Sequence, residues 1–138
     1  MKDRSVLLFS GGVESSCIAF KDRPSALLFV NYGQIQFQGE SNAAVRLSRY
    51  LGIELFVLNT EMSNLGSGLM AGELYSDKPH NEYWPFRNQL LITLGSMWAV
   101  KHKFSKVIIG TVKDDRKFSD GTPYFLETIS KLVLYQEK

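Results

Sequence analysis

Residues 6–18 read V-L-L-F-S-G-G-V-E-S-S-C-I, and this stretch decides how the rest of the chain is arranged. The apolar run Val6–Phe9 is short and stops just before two glycines, as a buried strand often does. Glu14, Ser15 and Ser16 follow, and these are residue types that the amino terminus of a helix favours. The stretch therefore predicts a strand, a tight glycine-rich loop and the beginning of a helix.

The loop between this strand and this helix has the features of an anion-binding site. Gly11 and Gly12 let the backbone adopt positive φ and approach a ligand closely. The N–H groups of the loop and of the first helical turn have no partners inside the helix, so they can face an anion. Ser10, Ser15 and Ser16 add hydroxyl donors. The pattern favours a phosphate, and an ordinary strand–helix turn without a ligand is the alternative.

Three more apolar runs predict strands, and each follows a segment with helical character. The predicted strands after the first are Ala26–Val30, Glu54–Leu58 and Lys106–Gly110. The predicted helices are Val13–Lys21, Glu40–Leu51 and Arg87–Lys103, and a last helix opens at Thr122-Pro123. Near-continuous apolar strands that alternate with helices indicate a parallel sheet buried on both faces. The predicted fold class is therefore α/β, with three layers and a mostly parallel sheet.

Large apolar residues at helical spacing predict which helix faces are buried. The predicted stripe of the second helix is Ala43, Leu47, Tyr50 and Leu51. The stripe of the third helix is Phe86, Leu90, Leu94, Met97 and Trp98, and that of the last is Phe125, Ile129, Leu132 and Val133.

Composition limits the class of protein and its partners. The 138 residues are 44% hydrophobic and 22% charged, which suits one domain, residues 1–138, with a core of its own. The net charge of +2, without any basic run, gives no sign of a nucleic-acid footprint. Cys17 is the lone cysteine, so an internal disulfide and a cysteine-based zinc site are both excluded. No signal peptide or membrane span is visible, and the expectation is a cytoplasmic protein.

Residues 59–85 interrupt the alternation of strands and helices. The segment contains Gly66, Gly68 and Gly72, and structureless loops of this length are uncommon in compact domains. Leu65, Leu69, Met70 and Leu74 suit a short helix that closes over a site. A disordered surface loop is the alternative.

The glycine-rich loop carries a family resemblance. Residues 10–15, S-G-G-V-E-S, resemble the SGGxDS signature of the PP-loop ATP pyrophosphatases, in which Asp stands where this chain has Glu14. These enzymes split ATP into AMP and pyrophosphate, and their loop holds the pyrophosphate. The resemblance implies the adenine nucleotide α-hydrolase-like fold. The loop is not a Walker A loop, because no G-x-x-x-x-G-K-[ST] pattern is present.

Three further segments narrow the resemblance to the QueC branch of these enzymes, the 7-cyano-7-deazaguanine synthases. Residues 31–34, N-Y-G-Q, are similar to the family's D-Y-G-Q, and residues 84–88, W-P-F-R-N, resemble its V-P-x-R-N. Ile108-Ile109-Gly110, followed by Asp115, Asp120 and Pro123, is similar to a third family segment. The segments occur in the family's order across nearly the whole chain.

The resemblance implies an activity and a set of site residues. QueC-like enzymes use ATP and Mg²⁺ to activate 7-carboxy-7-deazaguanine as an acyl-adenylate, which ammonia converts to the amide and then the nitrile. Glu14 either helps to hold Mg²⁺ or only caps the helix. Residues implied in catalysis are Arg87, Lys113 and Asp115, and those implied in substrate binding are Arg87, Asn88 and Asp120. Residues implied in nucleotide binding are Leu8, Phe9, Ser10, Gly11, Gly12, Glu14, Ser15, Ser16, Asn31, Tyr32 and Gln34.

The chain also departs from the family pattern. The family's carboxyl-terminal cysteine cluster, which holds a structural zinc, is absent, so no zinc is expected. The loop after Gly110 lacks the S-G-Y-P-D-C-R sequence that the family has there. Glu14 and the missing carboxyl-terminal part favour one alternative, a non-catalytic nucleotide-binding subunit. A PP-loop enzyme that modifies tRNA is a second alternative, against which the flat charge profile argues. A four-stranded sheet leaves edges to protect, so the expected partner is a second copy or another subunit.

Overall fold

The computed structural model describes residues 3–9, 13–65, 86–110 and 122–136. Four parallel strands form one sheet in the order β3-β2-β1-β4. The strands are β1 (Ser5–Leu8), β2 (Ala26–Asn31), β3 (Leu55–Asn59) and β4 (Lys106–Ile108). The helices are α1 (Val13–Asp22), α2 (Phe37–Leu51), α3 (Arg87–Lys101) and α4 (Pro123–Gln136), and a short 3₁₀ turn covers Ser63–Leu65. The predicted α/β fold is confirmed.

Alternate residues of the strands supply two hydrophobic cores, because successive side chains point to opposite faces of a sheet. On one face, Leu7, Leu27 and Phe29 pack with residues of α1 and α2. On the other face, Val6 and Leu28 pack with residues of α3. The sheet is therefore the middle layer of three, and the last helix, α4, packs against α3.

The helix that follows β2 begins earlier than the sequence predicts. It starts at Phe37, whose backbone N–H donates to the carbonyl of Gln34 over 3.1 Å, rather than at Glu40. The N-cap residue Gln36 makes no side-chain capping bond, so the usual sequence marker of a helix start is missing. Glu40 consequently lies inside the first turn of α2. At the far end, Gly52 closes the helix in the left-handed conformation, as expected of a glycine there.

The buried faces of three helices differ from the predicted stripes. The stripes place four large apolar residues in the core that are in fact exposed: Tyr50 by 80%, Phe86 by 74%, Met97 by 65% and Leu132 by 50%. In α3 the smallest residues approach the sheet instead, because Gly95 and Ala99 are buried. Glycine and alanine add little to a hydrophobic pattern, so the predicted apolar stripe of α3 does not include these two buried residues.

Among the described helices, none is both long enough and apolar enough to cross a membrane.

Candidate active site

The chain changes direction across the sheet at β1. Strands β1, β2 and β3 follow one another outward, and the chain then returns to add β4 on the other side of β1. In parallel α/β sheets, a crevice opens at such a point beyond the carboxyl ends of the strands. A cavity of about 210 Å³ lies at this place. Its lining combines the ends of β1, β2 and β4 with the first turns of α1, α2 and α3.

The first turn of α1 forms one wall of the cavity. Ser15 lines it and is only 6% exposed. Gly110, just beyond β4, packs against this turn so closely that a Cβ there would come within 3.2 Å of the Ser15 backbone nitrogen. The missing side chain at 110 thus lets the end of β4 approach the amino terminus of α1, where N–H groups without helical partners can face an anion.

The turn after β2 is held by hydrogen bonds that begin at Asn31. The Asn31 side-chain oxygen accepts from the Gly33 backbone N–H over 3.2 Å, and the Asn31 Nδ2 donates to Asn59 Oδ1 over 3.3 Å. Gly33 has a φ of 93°, a conformation that strongly favours glycine. Asn31 thus organises the turn that presents Tyr32 and Gln34 to the cavity, while its own side chain lies outside the lining.

The side chain of Gln34 ties this turn to α2. It is 3% exposed, and its Oε1 accepts from the Tyr32 backbone N–H over 2.9 Å. Its Nε2 donates to the carbonyl of Val30 over 3.3 Å and to Glu40 Oε2 over 3.2 Å. Gln34 therefore connects the end of β2, the turn and the first turn of α2 through one amide group.

Arg87 brings positive charge to the same cavity, close to Tyr32 and Glu40. Burial raises the pKa of the Tyr32 hydroxyl above 10.0, and the charge of Glu40 adds to this rise. The charge of Arg87 and a hydrogen bond between Arg87 and Tyr32 act in the opposite direction, but they do not outweigh burial. Burial also raises the pKa of the Glu40 carboxyl above 4.5, against the hydrogen bond from Gln34 and the charge of Arg87. The cavity thus holds a carboxyl and a guanidinium group in a partly desolvated setting.

The structure brings together many of the site residues that the sequence predicts, from four separate segments. Those that line the cavity are Leu8, Phe9, Ser15, Tyr32, Gln34, Arg87 and Asn88. Glu14 is exposed in the first turn of α1, and Ser16 is half-buried on the same helix outside the lining. Ser10, Gly11, Gly12, Lys113, Asp115 and Asp120 lie outside the described residues, as does nearly all of the segment predicted to close over the site.

Sequence reasoning missed Glu40 and Gly110 as site residues. The sequence places Gly110 at the end of a predicted strand and in a family segment, and Glu40 at the start of a predicted helix, and assigns neither to the site. For Glu40 the available signal was its spacing of six residues from Gln34. A turn and the first residues of a helix fit within that spacing and can bring the two side chains together.

The described residues of the cavity combine several features of an anion-binding site. The helix amino terminus at Ser15, the close backbone approach at Gly110 and the Arg87 guanidinium are features that bind a polyanion. Within residues 3–9, 13–65, 86–110 and 122–136, no three His, Cys, Asp or Glu side chains cluster as metal ligands do. The assignment of Glu14 to Mg²⁺ stays a prediction.

A parallel four-stranded sheet, the S-G-G sequence between β1 and α1 and a cavity at the strand ends define an α/β domain of the PP-loop type. Residues 4–138 match the family described as "Queuosine biosynthesis protein QueC". The chain belongs to this family, as its sequence motifs indicate.

Proteins named 7-cyano-7-deazaguanine synthase are similar to this chain over most of its length. The chain is 34% identical over 141 residues to 7-cyano-7-deazaguanine synthase 1 of Desulfitobacterium hafniense (strain Y51), covering 93% of this chain and 63% of the relative. It is 26% identical to the synthase of Chlorobium phaeobacteroides (strain BS1) over 94% of this chain and 64% of the relative. For the synthase of Methanococcus maripaludis (strain C7 / ATCC BAA-1331), the identity is 27% over 96% of this chain and 65% of the relative. The chain thus spans a little under two thirds of the length of these relatives.

Proposed function

We propose that this chain uses ATP to adenylate a carboxylic acid and releases pyrophosphate. The acid is 7-carboxy-7-deazaguanine or a related acid, and ammonia then converts the adenylate to the amide and, after a second activation, to the nitrile. The single observation that carries the proposal is the cavity at the ends of β1 and β2 with Arg87 in its wall, in a chain that matches the QueC family over residues 4–138.

Formation of the amide takes two steps. In the first, a carboxylate oxygen attacks the α-phosphorus, the bond between the α-phosphorus and the bridging oxygen breaks, and pyrophosphate leaves. In the second, the nitrogen of ammonia attacks the acyl carbon, AMP leaves and the nitrogen gives up a proton to solvent. A second ATP then serves the nitrile: the amide oxygen attacks the α-phosphorus, pyrophosphate leaves, and AMP carries that oxygen away while the nitrogen loses its two protons. Negative charge moves onto the leaving group in each step, so preorganised donors in a site with little water lower the barriers.

The described residues can meet these needs in specific ways. The first turn of α1, with buried Ser15, supplies backbone N–H groups for the departing pyrophosphate. The planar Arg87 guanidinium can pair with a phosphate or with the carboxylate of the acid. Its hydrogen bond with Tyr32 fixes where that charge lies. Orienting two anions against each other is the main task, because their mutual repulsion opposes the first step.

Phosphorus NMR tests the proposal directly. The protein would be incubated with Mg-ATP, ammonium and 7-carboxy-7-deazaguanine, and compared with the same mixture without the acid. We expect AMP and pyrophosphate only when the acid is present. ADP with inorganic phosphate, or AMP formed equally without the acid, would contradict acid adenylation.

A second candidate is a nucleotide-binding subunit that needs a partner for turnover. It is favoured by Glu14, which stands where the PP-loop signature has Asp. Binding of ATP without any AMP would support it. The partner would be a second copy or another subunit, since β3 lies at one edge of the described sheet and Val57 on it is 47% exposed. Light scattering of the purified protein measures whether a second copy is bound.

A further inference from the structure

The cavity contains a carboxyl group for which neither the reaction described above nor the family motifs provide a role. Glu40 lines the cavity from the first turn of α2, together with Arg87 from the first turn of α3. Placing a carboxylate in a partly desolvated site costs free energy unless donors surround it. A carboxyl group in a cavity for anionic ligands is also unfavourable for their binding, since like charges repel. Its presence there calls for a ligand that carries donors as well as negative charge.

The hydrogen bonds of Gln34 fix the orientation of its amide. The Tyr32 backbone N–H can only donate, so the atom that faces it must be Oε1. The Val30 carbonyl can only accept, so the atom that faces it must be Nε2. That nitrogen has two hydrogens: one goes to Val30 and the other to Glu40 Oε2. Both N–H donors of Gln34 are therefore committed within the protein, and the residue acts by holding Glu40.

A carboxylate held in this way still has acceptor capacity. Its two oxygens offer about four lone-pair sites, and among the described residues Gln34 is the one that donates a hydrogen bond to Glu40. Arg87 acts on Glu40 through charge, whereas it forms a hydrogen bond with Tyr32. The cavity accordingly presents the two acceptor oxygens of Glu40 and the guanidinium group of Arg87. These groups match a ligand that has adjacent N–H donors and a separate anionic group.

We propose that Glu40 determines specificity by accepting the paired N–H groups of the 2-amino-4-oxopyrimidine edge of the acid substrate, while Arg87 in the same cavity receives the carboxylate of that acid. The inference rests on the proposed function, because the acid it concerns is the substrate named there. The ring N–H and the neighbouring amino group of that edge lie side by side, so they can meet the two oxygens of one carboxylate. An acid that lacks the amino group offers Glu40 one donor fewer and leaves acceptor capacity unpaired in the cavity.

Calorimetric titration without ATP tests the inference independently of turnover. Two acids would be compared: 7-carboxy-7-deazaguanine, and the analogue in which hydrogen replaces the 2-amino group. We expect the unaltered protein to bind the first at least tenfold more tightly, a difference of about 1.4 kcal/mol. In Glu40→Gln the preference should fall to threefold or less, because an NH2 group, which only donates, replaces one of the two carboxylate oxygens that accept from the paired N–H groups.

Two controls separate specificity from general damage to the site. Glu127→Gln is the matched control: Glu127 lies on α4, 67% exposed, where it pairs with Lys131 over 3.1 Å, and both acids should bind it as they bind the unaltered protein. If Glu40→Gln does not fold, as judged by circular dichroism, Glu40→Asp replaces it. That variant keeps the charge but withdraws it by one methylene, and it should also lose most of the preference.

The outcomes distinguish this inference from the proposed function. If Glu40→Gln weakens the binding of both acids equally, the preference between them persists. Glu40 would then be a structural residue, and the inference would be overturned. Failure of the unaltered protein to bind either acid, or equal binding of both, would overturn it too. If the preference depends on Glu40 but ATP stays intact in the phosphorus NMR experiment, the inference holds and the proposed turnover fails. If AMP and pyrophosphate form but the protein shows no preference between the two acids, the proposed turnover holds and the inference about Glu40 fails.

Discussion

Gly110 packs against the backbone of Ser15, so the chain just beyond β4 lies close to the first turn of α1. A Cβ at position 110 would lie 3.2 Å from the Ser15 nitrogen, 3.3 Å from Ile18 Cδ1 and 3.4 Å from the Glu14 carbonyl carbon. Because the Ser15 nitrogen belongs to the helix backbone, the closest of these contacts is relieved only if the helix terminus moves by a few tenths of an ångström. We expect Gly110→Ala to push the helix terminus aside and to weaken ATP binding about tenfold or more, about 1.4 kcal/mol, measured by calorimetry.

Gly39→Ala is the matched control for this substitution. Gly39 lies in α2, and a Cβ there would meet nothing within 4 Å. Alanine at such a helical position should leave ATP affinity unchanged and stabilise the protein by about 0.4–1 kcal/mol. Equal ATP affinity of the two alanine variants would show that contact at Gly110 does not govern the nucleotide site.

Arg87→Ala tests the cationic group of the cavity. The guanidinium lines the cavity and interacts with Tyr32, so its loss removes both an anion partner and a positioned charge. We expect binding of ATP or of the acid to weaken by well over tenfold, about 1.4 kcal/mol or more. Arg46→Ala, an exposed arginine on α2, serves as the control and should bind both ligands normally. A change within experimental error in Arg87→Ala would place Arg87 outside the binding machinery.

Burial of Glu40 predicts a pH-dependent difference in stability between the protein and its Glu40→Gln variant. The folded protein holds the Glu40 proton more tightly than the unfolded chain does, because burial raises the pKa of the carboxyl above 4.5. The stability from this group is therefore fully present below that value and is lost as the pH rises through the raised pKa. Glutamine does not titrate. We expect the melting temperature of the variant to rise relative to that of the unaltered protein as the pH increases above 4.5 and through the raised pKa.

Thermal melts of both proteins at several pH values check this expectation. Tyr32, which lines the same cavity, does not contribute to this difference, because burial raises the pKa of its hydroxyl above 10.0. A difference that stays constant with pH would mean that the Glu40 carboxyl titrates alike in the folded and unfolded states.

Gly95 and Leu8 should behave as a coupled pair. A Cβ at Gly95 would stand 2.8 Å from Leu8 Cδ2, so Gly95→Ala forces the Leu8 side chain to move. We expect a cost of about 1–3 kcal/mol from the overpacking, partly offset by about 1 kcal/mol from the better helix propensity of alanine. In the double variant with Leu8→Ala, the clash disappears. Urea unfolding should therefore show a coupling of about 1 kcal/mol, and strict additivity would contradict the contact.

The sequence predicts the strands better than the faces of the helices, for a physical reason. A strand buried on both faces is apolar throughout, as β2 is, so its position shows directly as an apolar run. A helix face is recognised from its large apolar residues, but the close approach of α3 to the sheet depends on Gly95 and Ala99. Met97, which dominates the apparent stripe, is exposed.

Some residues of the candidate site are likewise predictable from the sequence, and others are not. Tyr32, Gln34 and Arg87 each belong to a family motif, so the sequence predicts all three as site residues, and the structure places them at one cavity. Glu40 has no motif of its own. Its role depends on the turn that brings the first residues of α2 back toward β2, and on the orientation of one buried amide. Local pattern does not encode such long-range placement, so only the three-dimensional structure identifies it.

The order of the strands also has a consequence for how the protein is made. Strands β1, β2 and β3 pair with near neighbours in the chain, whereas Ser5 pairs with Lys106 across a hundred residues. Contacts that close long loops form late, and an amino-terminal part can fold while the rest is still being synthesised. We therefore expect the first 60 residues to collapse as an early intermediate without a complete cavity. The wall that contains Gly110 is added only after β4 has been synthesised and has paired with β1. A ligand that binds the complete cavity should therefore raise the free energy of unfolding.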